Sequence, residues 1–313
     1  MSKLQVSSTP HIHEKGASTR NIMLDVIIAM LPATVVGVIL FGLKALLVIF
    51  TCVASSVLSE FIFNICAHKK QTVGDLSAVV TGLLLGLNLS TNVTIWQCVV
   101  GSVFAIVIVK CAFGGLGKNF ANPAITARVF LLIAFSTTVA GGAAPITAEL
   151  TSSATPLVTL NQGAEAAKSI SLMELFIGNH AGAIGETCAI ALLVGFVYLV
   201  VRRVIKWYVP ASYVATVFLC YFLFGGFDAV FALQHVLAGG LLLGAVFMAT
   251  DYVTTPNTNL GRVIFCVGAG LLTFVIRQYG VYPEGVSLAI LFMNLITPYI
   301  SSWTKKKTLG GVK

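Results

Sequence analysis

The sequence predicts an all-α integral membrane protein of about ten transmembrane helices, arranged as two inverted five-helix repeats. Three observations predict it. Of 313 residues, 57% are apolar and 10% are charged, where soluble domains carry about 25% charged residues. Mean hydropathy is +0.95, and several runs approach the ~20 apolar residues that cross a bilayer as helix. The motif GLLLG occurs at Gly82–Gly86 in the third apolar run and again at Gly240–Gly244 in the eighth. Recurrence in the same ordinal run of each half marks a duplicated unit, and an odd number of spans per unit inverts the second copy.

In chain order, residues 1–21 read as a polar cytoplasmic arm without a cleavable signal pattern, so the first span acts as its own insertion signal. Spans at 22–41, 44–66, 74–89, 93–113 and 121–139 form the first repeat, 22–139. Residues 140–181 are the longest polar interval and read as an extracytoplasmic loop. Spans at 182–202, 208–225, 233–249, 261–277 and 281–300 form the second repeat, 182–300, and 301–313 is a basic cytoplasmic tail. The third and eighth spans are short and glycine-rich, which points to a transporter-like core. Asn122-Pro123 opens the fifth span and Pro283-Glu284 the tenth.

Charge orients these spans. With the N-terminus inside, fifteen of the 19 Lys and Arg residues, Lys110 among them, fall on the inner side. Only Lys44, Lys168 and Arg277 fall outside, and Arg128 lies within a span. Cytoplasmic loops carry the excess of Lys and Arg, so both termini are expected in the cytoplasm of a prokaryotic cell. The basic balance therefore needs no nucleic acid, and no aromatic-interleaved basic patch suits one. The seven cysteines form no C-x-x-C; they read as buried thiols rather than as a zinc or iron–sulfur site of this chain. The five histidines are scattered and no hydrolytic motif occurs, so neither a metal site nor a complete active site is expected in this chain alone.

Ionisable groups at membrane depth are expensive and usually functional. Arg128 reads either as a snorkelling arginine near a helix end or as an anion-binding group. Before it runs Phe113-Gly114-Gly115-Leu116-Gly117-Lys118-Asn119-Phe120-Ala121-Asn122-Pro123, a glycine-rich break leading to a helix start whose free backbone donors suit an anion. Asn119, Asn122 and Arg128 are thus candidate pocket residues. After the eighth span, Thr250 and Asp251 combine a hydroxyl and a carboxylate beside Pro256, and Glu284 stands at the matching break of the second half. These three are candidates for a cation or ring-binding region. Asp25, Glu60, Asp75 and Glu186 lie near span ends and read as interfacial.

The runs GGLGKNFANPA at 114–124, FMATDYVTTP at 247–256 and RQYGVYPEGVSLAILFMN at 277–294 carry a resemblance. With Pro10-His11-Ile12 ahead of the first span, they extend it over nearly the whole chain. The chain resembles the RnfD family, the D component of the Rnf complex, which is the membrane ferredoxin:NAD oxidoreductase. It is similar, more distantly, to the B component of the sodium-pumping NADH:quinone oxidoreductase. The resemblance implies FMN joined through its phosphate to a threonine hydroxyl in a motif close to Asp-x-x-Ser-Gly-Ala-Thr. Here Ser152, Ala154 and Thr155 match, with Glu149 where Asp is usual, Ser153 where Gly is usual, and Pro156 following. An exported flavin transferase would then act on Thr155, in agreement with its outside placement. A second, noncovalent flavin, riboflavin, is implied without a position.

On that reading the chain is a flavin-carrying membrane subunit of a translocase. Its partners are iron–sulfur, NADH-binding and second covalent-FMN subunits, and the complex couples electron transfer between ferredoxin and NAD to Na⁺ or H⁺ movement. Two other readings are a stand-alone channel or secondary transporter without flavin, and the B component of the quinone reductase. The short N-terminal arm weighs against the latter.

Overall fold

The computed structural model describes residues 18–146, 155–163, 167–280, 282 and 284–305. Four residues of the predicted attachment motif, Glu149, Ser152, Ser153 and Ala154, lie outside the described residues. The described chain is helical, with one isolated bridge between Ala143 and Gly182.

Helix α1, Thr19–Phe41, begins where the Ser18 hydroxyl accepts the Asn21 N–H at 3.3 Å. It ends at Gly42, whose φ of 70° only glycine adopts without strain. That single residue separates it from α2, Leu43–Cys66. Next come α3, Ser77–Asn88, and α4, Ile95–Val103, which continues as a π-helix over Phe104–Cys111. Helix α5 spans Pro123–Ala134. After the polar interval come α6, Ala189–Val201, and α7, Tyr208–Phe224. Helix α8, Ala229–Leu237, is followed by a continuation, Leu241–Met248, bent from it by 68°. Helices α9, Asn259–Tyr279, and α10, Val286–Trp303, close the bundle.

Helices α1, α2, α9 and α10 are each long and apolar enough to cross a membrane, and the bent α8 pair makes a fifth such unit. Large apolar side chains stand exposed along them: Leu31, Val35 and Ile39 on α1, Phe50, Leu58 and Ile62 on α2, Leu271 and Val275 on α9. Such a surface suits lipid rather than water, and the chain is a multi-pass membrane protein.

Three contacts of the first half recur in the second, although α1 packs on α2 and α3 more closely than α6 does on α7 and α8. Helix α2 packs on α3 and α4, as α7 packs on α8 and α9; α4 contacts α5, as α9 contacts α10; and α1–α6 and α5–α10 join the halves. The two GLLLG motifs, however, serve different ends. In α3, a Cβ on Gly82 would lie 2.7 Å from the Cys52 carbonyl oxygen and from Val53 Cα, and one on Gly86 would lie 3.0 Å from Ile49 Cα. Those glycines let two helix backbones touch. Gly240 instead lies at the break in α8, which interrupts the predicted 233–249 span.

Three further spans differ from the sequence expectation. The 121–139 segment breaks at Phe135, with a short turn of helix at Ser136–Val139 beyond it. Residues 182–188 are not helical, because their backbone groups bond across to the loop and to α3: Gly182 N–H to Ala143 O at 3.2 Å, Ile184 to Leu89 O at 3.0 Å and Gly185 to Leu87 O at 2.8 Å. The tenth helix starts at Val286 rather than 281.

Candidate functional site

Arg128 lies on α5, six residues beyond Asn122 and so about 9 Å along the axis. It is 5% exposed, far too deep to snorkel. Its Nη1 donates to Glu186 Oε1 at 2.9 Å, to Asn88 Oδ1 at 2.8 Å and to the Ser287 hydroxyl at 3.2 Å. Its Nη2 is paired with Glu284 Oε2. Neither sequence reading of Arg128 holds in simple form. Two carboxylates of the same chain already satisfy the guanidinium, as burial of a permanent charge demands. Glu186, expected at the interface, is 4% exposed.

The break in α8 faces this cluster. Gly240 N–H donates to Glu284 Oε1 at 3.2 Å, so the start of the Leu241–Met248 segment presents its free donors to the carboxylates. A Cβ on Gly240 would lie 2.5 Å from Glu186 Oε1 and 2.9 Å from Glu284 Oε1; only glycine admits both acids. On the other side of the break, Arg277 donates to His235 O at 2.7 Å and Ala238 O at 3.2 Å, closing the carbonyl end of α8. Arg277, counted in an outer loop by the sequence, is 1% exposed.

Arg128, Glu186 and Glu284 line a cavity of about 480 Å³ whose other walls include Thr155, Pro156 and His180. Thr155 precedes the short helix Pro156–Leu160. Its Cγ2 reaches to 2.5 Å from where a Gly142 Cβ would stand, so glycine at 142 makes room for it. His180 Nδ1 lies 3.1 Å from Ala181 O, and Nε2 is buried without a hydrogen-bond partner. Burial holds this imidazole below its ordinary value, so it is neutral near pH 7.

A second cavity, of about 760 Å³, is lined by Asn119, Asn122, Thr250, Asp251, Ser77 and Lys110 together with apolar side chains. The predicted groups are therefore re-sorted. Asn119 and Asn122 join Thr250 and Asp251, while Arg128 and Glu284 join Thr155. The Asn122 side chain itself accepts from Ala124 N at 3.0 Å and Ile125 N at 3.4 Å, so the start of α5 holds no free donors for an anion. Asn119 Nδ2 donates to Ala121 O at 3.4 Å. Thr250 donates to Val246 O at 2.6 Å. Asp251 accepts from Val253 N at 3.3 Å and from the Thr254 hydroxyl at 3.0 Å. Burial raises its carboxyl above the usual range, and those two donors offset part of the rise.

A charge pair at this cavity is not legible in the sequence. Lys110 Nζ sits 2.9 Å from Glu60 Oε2 and 2.6 Å from the Ser77 hydroxyl, with both ions buried. By sequence Lys110 reads as an inner-side charge near the end of the 93–113 span and Glu60 as interfacial. The π-helical stretch of α4 carries Lys110. The low cost of Lys near a span end hides the pair; a Lys and a Glu at the same depth of neighbouring spans are the available signal.

A family model described as the NQR2, RnfD, RnfE family matches residues 5–310. The chain belongs to this family. It is 47% identical to the D component of the Na⁺-translocating ferredoxin:NAD⁺ oxidoreductase complex of Acetobacterium woodii, over 99% of this chain and 96% of that protein. It is 38% identical to the D component of the proton-translocating ferredoxin:NAD⁺ oxidoreductase complex of Clostridium ljungdahlii, over 97% and 96%. The D component of the ion-translocating oxidoreductase complex of Escherichia coli is 34% identical over 98% of both chains. Every side chain of the two cavities falls within the stretch matched to the NQR2, RnfD, RnfE family.

Proposed function

We propose that this chain is the flavin-carrying membrane D component of a multi-subunit complex that couples electron transfer between ferredoxin and NAD to Na⁺ or H⁺ translocation. Both ions occur in the names of its relatives. The observation that carries the flavin reading is the position of Thr155, on the wall of a cavity that also holds Arg128, Glu186 and Glu284. FMN held there by a phosphoester to the threonine oxygen would supply reversible electron transfer, chemistry that side chains lack.

The residues present fit that group. Thr155 offers the hydroxyl, and Gly142 leaves it space. The Glu284 side chain keeps 24% of its surface accessible and offers an acceptor to a ring N–H. His180, with its Nε2 buried and without a hydrogen-bond partner, stands on the same wall. Arg128, fixed from four sides, orients Glu284. A noncovalent riboflavin would be held at the Asp251 cavity, where apolar side chains stand beside Asn119, Asn122 and Thr250. The flavin transferase and the iron–sulfur, NADH-binding and second covalent-FMN subunits follow as partners of such a complex.

The contacts that recur in the two halves support ten crossings as inverted five-helix repeats, 22–139 and 182–300. The positive charge bias supports cytoplasmic termini, with Thr155 outside. Lys110 and Arg277 drop out of that bias as buried groups, one from each side, and its sign is unchanged. The broken α8 with charged groups at both new ends also fits a secondary transporter without flavin.

One experiment separates these readings. The full chain is made with a flavin transferase, denatured, and viewed for flavin fluorescence on a gel. Wild type is expected to fluoresce and Thr155→Ala to be dark at equal protein amount. A dark wild-type band would return the transporter reading to the front.

A further inference from the structure

Arg277 is the second buried arginine of the site, and its surroundings differ from those of Arg128. Its two Nη atoms meet only backbone carbonyls, His235 O and Ala238 O, and its Nε has no partner. Among the described residues no carboxylate lies within ion-pair distance of it. A guanidinium keeps its charge at any pH that proteins survive. Arg277 is therefore a permanent, weakly compensated cation inside the bundle.

It stands directly behind the Thr155 cavity. Gly239 forms part of the cavity wall, and a Cβ on it would lie 3.3 Å from Arg277 Nη2 and 2.5 Å from Leu157 Cδ1. Leu157 belongs to the short helix that follows Thr155. The same helix is tied to α9 one turn later, where Asn161 Nδ2 donates to the Arg277 carbonyl at 3.0 Å. The position of Thr155 and that of the Arg277 charge are thus fixed by one set of contacts.

The acids on the cavity wall have the opposite sign. Arg128 neutralises one of Glu186 and Glu284; the trio is neutral while these two crowded acids share a proton, and it carries one negative charge once that proton leaves. An electron that enters a ring here without a proton adds another. In a medium of low dielectric, such like charges act over several ångströms. Arg277 offsets them from across the α8 break.

We propose that Arg277 raises, and the Glu186–Glu284 pair lowers, the reduction potential of the flavin on Thr155. This rests on the flavin reading above. The break in α8 then does more than bend a helix. It separates a cation on its carbonyl side from two carboxylates on its amide side, and it sets both beside the cavity.

The test is a reductive titration of the full flavin-bearing chain with dithionite and redox mediators, followed by flavin absorbance. Arg277→Gln is expected to move the midpoint to more negative potential, and Glu186→Gln to more positive potential. Arg277→Lys, whose ammonium is a less secure charge when buried, is expected to fall between wild type and Arg277→Gln. Opposite shifts from two nearby substitutions are not the product of general loosening. If Arg277→Gln does not accumulate, the Glu186→Gln and Arg277→Lys arms still read the sign. Midpoints that are unmoved or move together, in chains whose denatured bands still fluoresce, would overturn the electrostatic proposal alone. A wild-type band without fluorescence would overturn it together with the flavin reading.

Discussion

Replacing Arg128 with methionine is expected to destabilise the chain by about 3–5 kcal/mol, the usual loss when one member of a buried ion cluster is removed. The methionine fills the space but leaves Glu186 and Glu284 facing each other across a dry contact. Asn88 Oδ1 and Ser287 lose a partner as well. The triple variant Arg128→Met, Glu186→Gln, Glu284→Gln is expected to recover most of the loss, since no charge then remains to be desolvated. The measurement is the thermal unfolding midpoint of detergent-purified protein. A single variant that melts with wild type would show that the two carboxylates do not need the guanidinium, and the account of the cluster would fail.

The second large effect is expected at the crossing of α2 and α3. Gly82→Leu places a branched side chain where even a Cβ would lie 2.7 Å from backbone atoms of Cys52 and Val53. Backbone cannot rotate aside as a side chain does, so the helices must separate. Overpacking of this kind costs typically about 1–3 kcal/mol, and more when whole helices move. A drop in the yield of monodisperse protein is the expected readout. Gly74→Ala is the control, because nothing lies within 4 Å of its Cβ position. Equal yields from the two variants would argue that α2 and α3 do not meet as described.

Much of the helical content could be read from hydropathy, because a segment of apolar residues in lipid has to satisfy its backbone internally. The breaks were harder to read. Gly239-Gly240 sits in a run apolar enough to pass for one helix, and only the arrival of Glu284 and Arg277 from remote positions shows why the helix stops there. Arg128 stood out in the sequence as a charge within a span, and Glu284 as an acid at the break before the last helix. Their partners did not: Asn88 and Ser287 are single polar residues in apolar runs, and Glu186 read as an interfacial acid near a span end. Positions 88, 128, 186, 284 and 287 share no local pattern, so only the packed bundle brings them together. The recurrence of GLLLG was visible, but its two uses were not. One copy depends on what α2 presents and the other on two carboxylates.

The π-helical stretch of α4 fixes how Lys110 meets Glu60. A π turn holds one residue more than an α turn between bonded groups. An α-helix turns the chain by about 100° per residue, and the wider π turn by roughly 80°. Lys110 is the seventh residue of the π segment. If that segment tightened to α-helix with every residue kept, Lys110 would swing by roughly 140° and leave Glu60 for another face. Removing one residue from Phe104–Val109 at the same time would give back most of that turn, to within roughly 40°. The wide winding thus works as a vernier: it takes up one extra residue and still brings the ammonium to its carboxylate.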